Sequence, residues 1–197
     1  MKNLTALPKS IDTIRFGAIL LNCQIAALQG ASNAKIQALL DRFARQVARE
    51  GHKIAGVIEV ATSESDGACG RRAVRDLSTG AVISISQDLG HGSTACNLDP
   101  SGLMEACAAV ERTIAAGADL VILSKFGKLE ADRGGLSDAF RAAIVAELPI
   151  LTAVSPSIAE ASRLFAEPLS LFIPTDASVI DAWWSGIKAR KLLSAYN

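Results

Sequence analysis

The run from Ser124 to Gly135, SKFGKLEADRGG, concentrates groups that can do chemistry. Lys125, Lys128 and Arg133 supply positive charge, and Glu130 and Asp132 supply carboxylates. Gly127, Gly134 and Gly135 let backbone N–H groups come close to a ligand. Lysine and arginine beside the free N–H groups of a helix start suit an oxyanion such as phosphate, sulfate or molybdate. If the chemistry is hydrolytic, Glu130 is the catalytic carboxylate. The competing reading is a solvated charged turn, whose ion pairs are individually weak.

Two further stretches carry related chemistry. A phosphate-binding loop reads G-x-x-x-x-G-K-[ST], because glycines let the backbone wrap a phosphate while the lysine and hydroxyl meet its charge and Mg²⁺. Here Gln29 stands at the first glycine and Ala34-Lys35-Ile36 stands in place of G-K-[ST]. The lysine is kept and the metal-binding hydroxyl is missing. Ser32, Asn33 and Lys35 can still meet an anion at a helix start, or Gly30, Ser32 and Asn33 simply make a turn and a cap. The loop Asp88–Leu98 offers His91, Ser93, Thr94 and Cys96, either a small polar pocket or a plain glycine-rich turn. Arg71 and Arg72 add charge if the preceding loop folds over the site.

The elements that must position these residues follow from the hydrophobic pattern. Phe16–Asn22 (FGAILLN) reads as a buried strand, and Gln24–Ser32 as a small-residue loop. Ile36, Leu39, Leu40, Phe43 and Val47 then recur at helical spacing up to Gly51, and Ile54–Val60 is a second, parallel strand. Ala73–Leu77 and Ala81–Gln87 flank Ser78-Thr79-Gly80 as an antiparallel hairpin. Asp99 and Pro100 start a helix with Leu103, Cys107, Val110 and Ile114 on its inner face. After it come strand Leu120–Leu123, helix Leu136–Glu147 and strand Ile150–Val154. Ser155-Pro156 opens a helix to about Phe165, Leu169–Ile173 is a strand, and Thr175 caps a last helix whose core stripe is Val179, Trp183 and Ile187. Strands alternating with helices predict an α/β fold, doubly wound around a mainly parallel sheet in three layers, with the hairpin as an antiparallel addition. Residues 1–15 read as a lead-in and 16–197 as a single domain.

Composition narrows the function classes. The 20 lysines and arginines balance the 20 aspartates and glutamates, so no net charge draws the chain toward nucleic acid or an anionic membrane. The four cysteines include no C-x-x-C pair, and with only two histidines beside them a structural metal site is not expected. Free thiols, no apolar run long enough for a membrane helix and no signal-peptide pattern place the expected location in the cytoplasm.

The stretch from Ser84 to Val154, with ISQDLG, CNLDP, ADLVILSKFGKLEADRGGL and LPILTAV, resembles an uncharacterised bacterial family, domain of unknown function 2478. More loosely, the likeness runs from about Phe16 to Trp184. Genes of that family often sit near molybdate transport genes, which implies molybdate as the oxyanion. Its typical asparagine before the R/K-FGK string is Ser124 here. More distantly, the strand, the T-G hairpin turn and FGK-x-E resemble small P-loop nucleoside triphosphatases with degenerate motifs. The strand-end acidic pair of those enzymes falls on Ser124 and Lys125. The resemblance therefore implies a degenerate P-loop-like protein that binds a small oxyanion or a nucleotide's phosphates, with a homo-oligomer as one arrangement. Two alternatives stand beside it: a Mg²⁺-dependent nucleoside triphosphatase, and a non-catalytic interaction or regulatory module of molybdenum metabolism.

Overall fold

A computed structural model describes residues 23–61, 72–87, 98–166 and 169–194. In chain order they form β1 (Ile25–Gln29), α1 (Asn33–Arg49), β2 (Ile54–Ala61), β3 (Arg72–Asp76), β4 (Val82–Ser84), α2 (Pro100–Ala115), β5 (Leu120–Phe126), a single turn α3 (Lys128–Ala131), α4 (Ser137–Val145), β6 (Ile150–Val154), α5 (Ala159–Ala166), β7 (Ser170–Pro174) and α6 (Ala177–Ser194). The strands make one seven-stranded sheet in the order β4-β3-β2-β5-β6-β1-β7. Among the described strands, the pairings β2–β3 and β3–β4 are antiparallel, and β2–β5, β5–β6, β6–β1 and β1–β7 are parallel.

Both faces of the sheet are covered, which explains why its central strands read as unbroken apolar runs. On one face α1 and α6 bury Leu40, Phe43, Val47, Ile180 and Trp183 against Leu28, Ile122 and Leu151. On the other, α2, α4 and α5 pack Leu103, Val110, Phe140 and Ala166 against Val57, Val121, Leu123 and Ile150. The expected doubly wound, three-layer α/β arrangement with an antiparallel addition is the observed one.

One strand lies where sequence pattern predicts a loop. Ile25–Gln29, expected within a loop, is β1, paired on both sides by β6 and β7. Its small residues suit a strand squeezed between two helical layers, and a strand buried on both faces has no alternation to betray it. The expected strand Phe16–Asn22 lies outside the described residues. Strand β1 and β2 are parallel, as a strand–helix–strand reading requires, but β6 and β5 lie between them.

Smaller corrections have local causes. The hairpin's second strand is short, Val82–Ser84, with Ser86 adding one isolated bridge to Leu98. Ser155-Pro156 opens a 3₁₀ turn, Pro156–Ile158, before α5 begins. Asp176 rather than Thr175 caps the last helix: its Oδ1 accepts from the Ser178 N–H at 2.8 Å, while the Thr175 hydroxyl donates to the Gln29 carbonyl at 2.8 Å. Asp99 caps α2 as expected, accepting from the Ser101 N–H at 2.9 Å with Pro100 in the first turn.

Trp183 joins the last helix to the start of the first strand. Its ring is fully buried, and Nε1–H donates to the Cys23 carbonyl at 3.1 Å. Trp183→Ala is expected to cost about 3–5 kcal/mol of stability through cavity formation. Trp183→Phe should cost less, chiefly by orphaning the Cys23 carbonyl. Denaturant unfolding followed by far-UV circular dichroism checks the order of the two.

Candidate functional site

The parallel strands β1, β5 and β6 all end at one edge of the sheet, where open α/β folds bind their ligands. A cleft of about 400 Å³ lies there, lined by Gly30, Ala31, Asn33 and Ile36 after β1, by Lys125 to Lys128 at the end of β5, by Ala153 to Pro156 at the end of β6, and by Arg72 of β3. The two loops singled out by their chemistry thus converge on one cavity.

A bulge in β5 sets the direction of its side chains. Leu123 pairs with Thr152 and Phe126 with Val154, so three steps along β5 match two along β6. The extra residue changes the strand's alternation. Leu123 and Phe126, three apart, both reach the same buried cluster. Ser124 and Lys125, expected at the start of a loop, are therefore strand residues at the bulge. Ser124 is buried, and its carbonyl accepts from Gln37 Nε2 at 2.8 Å. Lys125 Nζ ion-pairs with Glu59 Oε1 at 2.6 Å.

Glu59, near the end of β2, had drawn no attention in the sequence. Its side chain is 14% exposed, and Oε2 accepts from Asn33 Nδ2 at 2.7 Å. Its own N–H donates to Gln37 Oε1 at 2.9 Å, so buried Gln37 ties β2 to the bulge of β5. Burial by itself pushes the Glu59 carboxyl up. The Lys125 ammonium, the Asn33 amide and the charge of Arg72 outweigh that and hold it below the usual carboxylate range. An isolated glutamate in an apolar strand gives no sequence signal of such a role; only the sheet order brings β2 beside β5.

The Ser124–Gly135 loop does bind an anion, and the anion is its own. Glu130 is 5% exposed; Oε2 accepts from the Gly127 N–H at 2.8 Å and Oε1 from the Leu136 N–H at 2.9 Å. A buried carboxylate needs such partners, and here they close the chain around it. Gly135 has φ +57°, and a Cβ there would stand 2.2 Å from Glu130 Oε1. Arg133 also takes positive φ, at 62°, and the Gly134 N–H donates to the Leu129 carbonyl at 2.7 Å. Gly134 and Gly135 thus shape the turn between α3 and α4, and neither they nor Arg133 line the cleft.

The turn after β1 is short. Gly30-Ala31-Ser32 joins strand to helix, and Ser32 Oγ accepts from the Lys35 N–H at 3.4 Å as the cap of α1. Taking Gly30 as the first glycine of a phosphate-binding loop puts Lys35 where the second glycine belongs. Lys35 is exposed, and its charge adds to the hydrogen bonds from Ser178 in lowering the Asp176 carboxyl, which places it toward the start of α6. Arg71, His91, Ser93, Thr94 and Cys96 lie outside the described residues. Among the described residues no cluster of three or more His, Cys, Asp or Glu is arranged to hold a metal ion, and no helix is long and apolar enough to cross a membrane.

Comparison with known proteins agrees with this architecture. Residues 25–183 match the model of a family described as "Protein of unknown function (DUF2478)", and the chain belongs to that family. Over 168 residues it is 37% identical to the molybdenum import ATP-binding protein ModC 2 of Bradyrhizobium diazoefficiens, covering 85% of this chain but 19% of that relative's length. The crystal structure of THEP1 from the hyperthermophile Aquifex aeolicus superposes with a TM-score of 0.53 at 13% identity, covering 80% of this chain and 91% of that one. The seven-stranded, mainly parallel sheet with its antiparallel addition thus resembles the P-loop NTPase-like fold of THEP1.

Two substitutions test the anchoring of the loop. Glu130→Ala leaves the Gly127 and Leu136 N–H groups without their acceptor and should cost about 2–6 kcal/mol, at roughly 1–3 per orphaned donor. Gly135→Ala should also destabilise, through strain and the contact with Glu130. Thermal unfolding of each variant, with hydrogen exchange at Leu136, reads the effect.

Proposed function

We propose that this domain is a binding protein which captures an oxyanion, molybdate or the phosphates of a nucleotide, in the cleft at the ends of β1, β5 and β6. The carrying observation is the convergence of Lys125, Lys128 and Arg72 with the turn before α1 on that cleft. Three cations against the carboxylates of Glu59 and Glu130 leave a local surplus of one positive charge. The first-turn N–H groups of α1 add a partial positive charge, because an α-helix leaves them without intrahelical partners. A volume of about 400 Å³ admits a tetrahedral oxyanion with its waters or part of a nucleotide. The relative's printed name supplies both ligand classes, molybdenum and ATP, but the stretch it shares with this chain is a fifth of its length. Neither ligand therefore transfers with the name alone.

Capture fits the side chains better than hydrolysis. Ile36 follows Lys35 where a phosphate-binding loop would place its metal-binding hydroxyl. Glu130, the carboxylate that would activate water, is buried with both oxygens engaged by backbone N–H groups. A regulatory role in molybdenum metabolism is the second reading. It is supported by the long remainder of the molybdenum-import relative beyond the shared stretch.

Calorimetry with molybdate, tungstate, sulfate, ATP and GTP is the direct test, with dissociation constants expected in the micromolar to millimolar range. Lys128, exposed on the cleft wall, can be removed without disturbing the core. Lys128→Ala should weaken binding about tenfold, or about 1.4 kcal/mol. Lys35→Ala, on the side of Asp176, should change it less. Binding of none of these ligands ends the proposal. Phosphate release from ATP or GTP with Mg²⁺ that disappears in Glu130→Gln would replace it with hydrolysis.

A further inference from the structure

One of the cleft's cations is already engaged. Lys125 Nζ sits 2.6 Å from Glu59 Oε1, and that carboxylate belongs to a neighbouring groove lined by α1, β2 and β3. The two cavities share Asn33 and Arg72, so Lys125 stands at their boundary. It is 36% exposed and Glu59 14%, which leaves the ammonium reachable from the cleft while the carboxylate stays behind it. Glu59 is held in place from three sides: Asn33 Nδ2 on Oε2 at 2.7 Å, Gln37 Oε1 on its N–H at 2.9 Å, and Lys125 on Oε1.

Resting on the anion-capture reading, we propose that Glu59 is a built-in competitor for the ligand, a tethered carboxylate that occupies Lys125 until an incoming oxyanion draws the ammonium away. Competition of this kind grades ligands by charge. A monoanion offers Lys125 no more than Glu59 already does, and must also approach Glu59's negative charge. A dianion offers more and can share Lys128 and Arg72. The cleft therefore favours doubly charged oxyanions over singly charged ones of the same size.

The competition has a proton signature. In the free protein Glu59 faces Lys125 from β5 and Arg72 from β3, while Asp41, Arg45 and Arg75 farther along the groove are paired with one another. Burial pushes the Glu59 carboxyl up, but Lys125, Asn33 and Arg72 together hold it below the usual range. When Lys125 turns to a ligand, the carboxyl loses a partner and gains a negative neighbour, so its pKa rises. Binding then takes up protons at any pH between the free-state and bound-state values. Across that window affinity increases as pH falls.

The test measures sulfate and molybdate binding at pH 7 by calorimetry, for the unmodified chain and for Glu59→Gln. A sulfate series from pH 4 to 7 in buffers of different ionisation enthalpy follows, because sulfate keeps its double charge throughout. The expected result is about tenfold tighter binding by Glu59→Gln at pH 7, with proton uptake in the unmodified chain as the series moves to lower pH that vanishes in the variant. Uptake is read on the unmodified protein, so the outcome does not depend on the variant folding. Anion binding without uptake, or with equal or weaker affinity in Glu59→Gln, overturns the competitor role and leaves the capture reading standing. No anion binding by either protein overturns the capture reading beneath it.

Discussion

A carboxylate buried in a protein must be met by hydrogen-bond donors, and the shape of this molecule's cleft depends on how Glu130 meets that demand. The donors it finds are the N–H groups of Gly127 and Leu136, one before the α3 turn and one at the start of α4. Accepting both draws the two ends of the loop together. That closure leaves Lys128 exposed on the cleft side and turns the chain into α4, whose Phe140 packs against Phe126 with ring centroids 5.5 Å apart. Gly135 completes the arrangement because no side chain fits between it and the carboxylate.

The neighbouring carboxylate has a different setting. Glu59 meets an ammonium, an amide and a nearby guanidinium group rather than backbone donors alone. Backbone N–H groups that are built into a turn cannot leave, whereas a lysine side chain can rotate to another partner. The two glutamates at this edge of the sheet are thus a fixed anchor and an exchangeable one. Gln37 links the second to the scaffold, joining the Glu59 N–H to the Ser124 carbonyl across β2 and β5.

This division also clarifies what the degenerate motif retains. The fold keeps a strand–turn–helix entry into the sheet edge, and the helix start that can face an anion. The connection is Gly30-Ala31-Ser32, and Lys35 lies on the side of Asp176. Positive charge at the cleft comes instead from Lys125, Lys128 and Arg72, three residues on two strands and a turn.

The amphipathic helices, the antiparallel hairpin and the parallel strands Ile54–Val60, Leu120–Leu123 and Ile150–Val154 were legible in the sequence, because their patterns are local. Legible too was the charged, glycine-bearing loop after β5. Strand β1 was not, since IAALQ is defined as a strand only by the two neighbours that pair with it. Nor was the sorting of the loop's charges: Lys128 stays at the cleft, Glu130 turns inward, and Arg133, Gly134 and Gly135 shape the far turn. Glu59 was invisible altogether, 66 residues before Lys125 in the chain yet 2.6 Å from it in space. Residue type and spacing determine which elements form and which groups are available. Which group meets which is decided by sheet order and by the bulge in β5, because a contact between distant strands has no local signature for a sequence to carry.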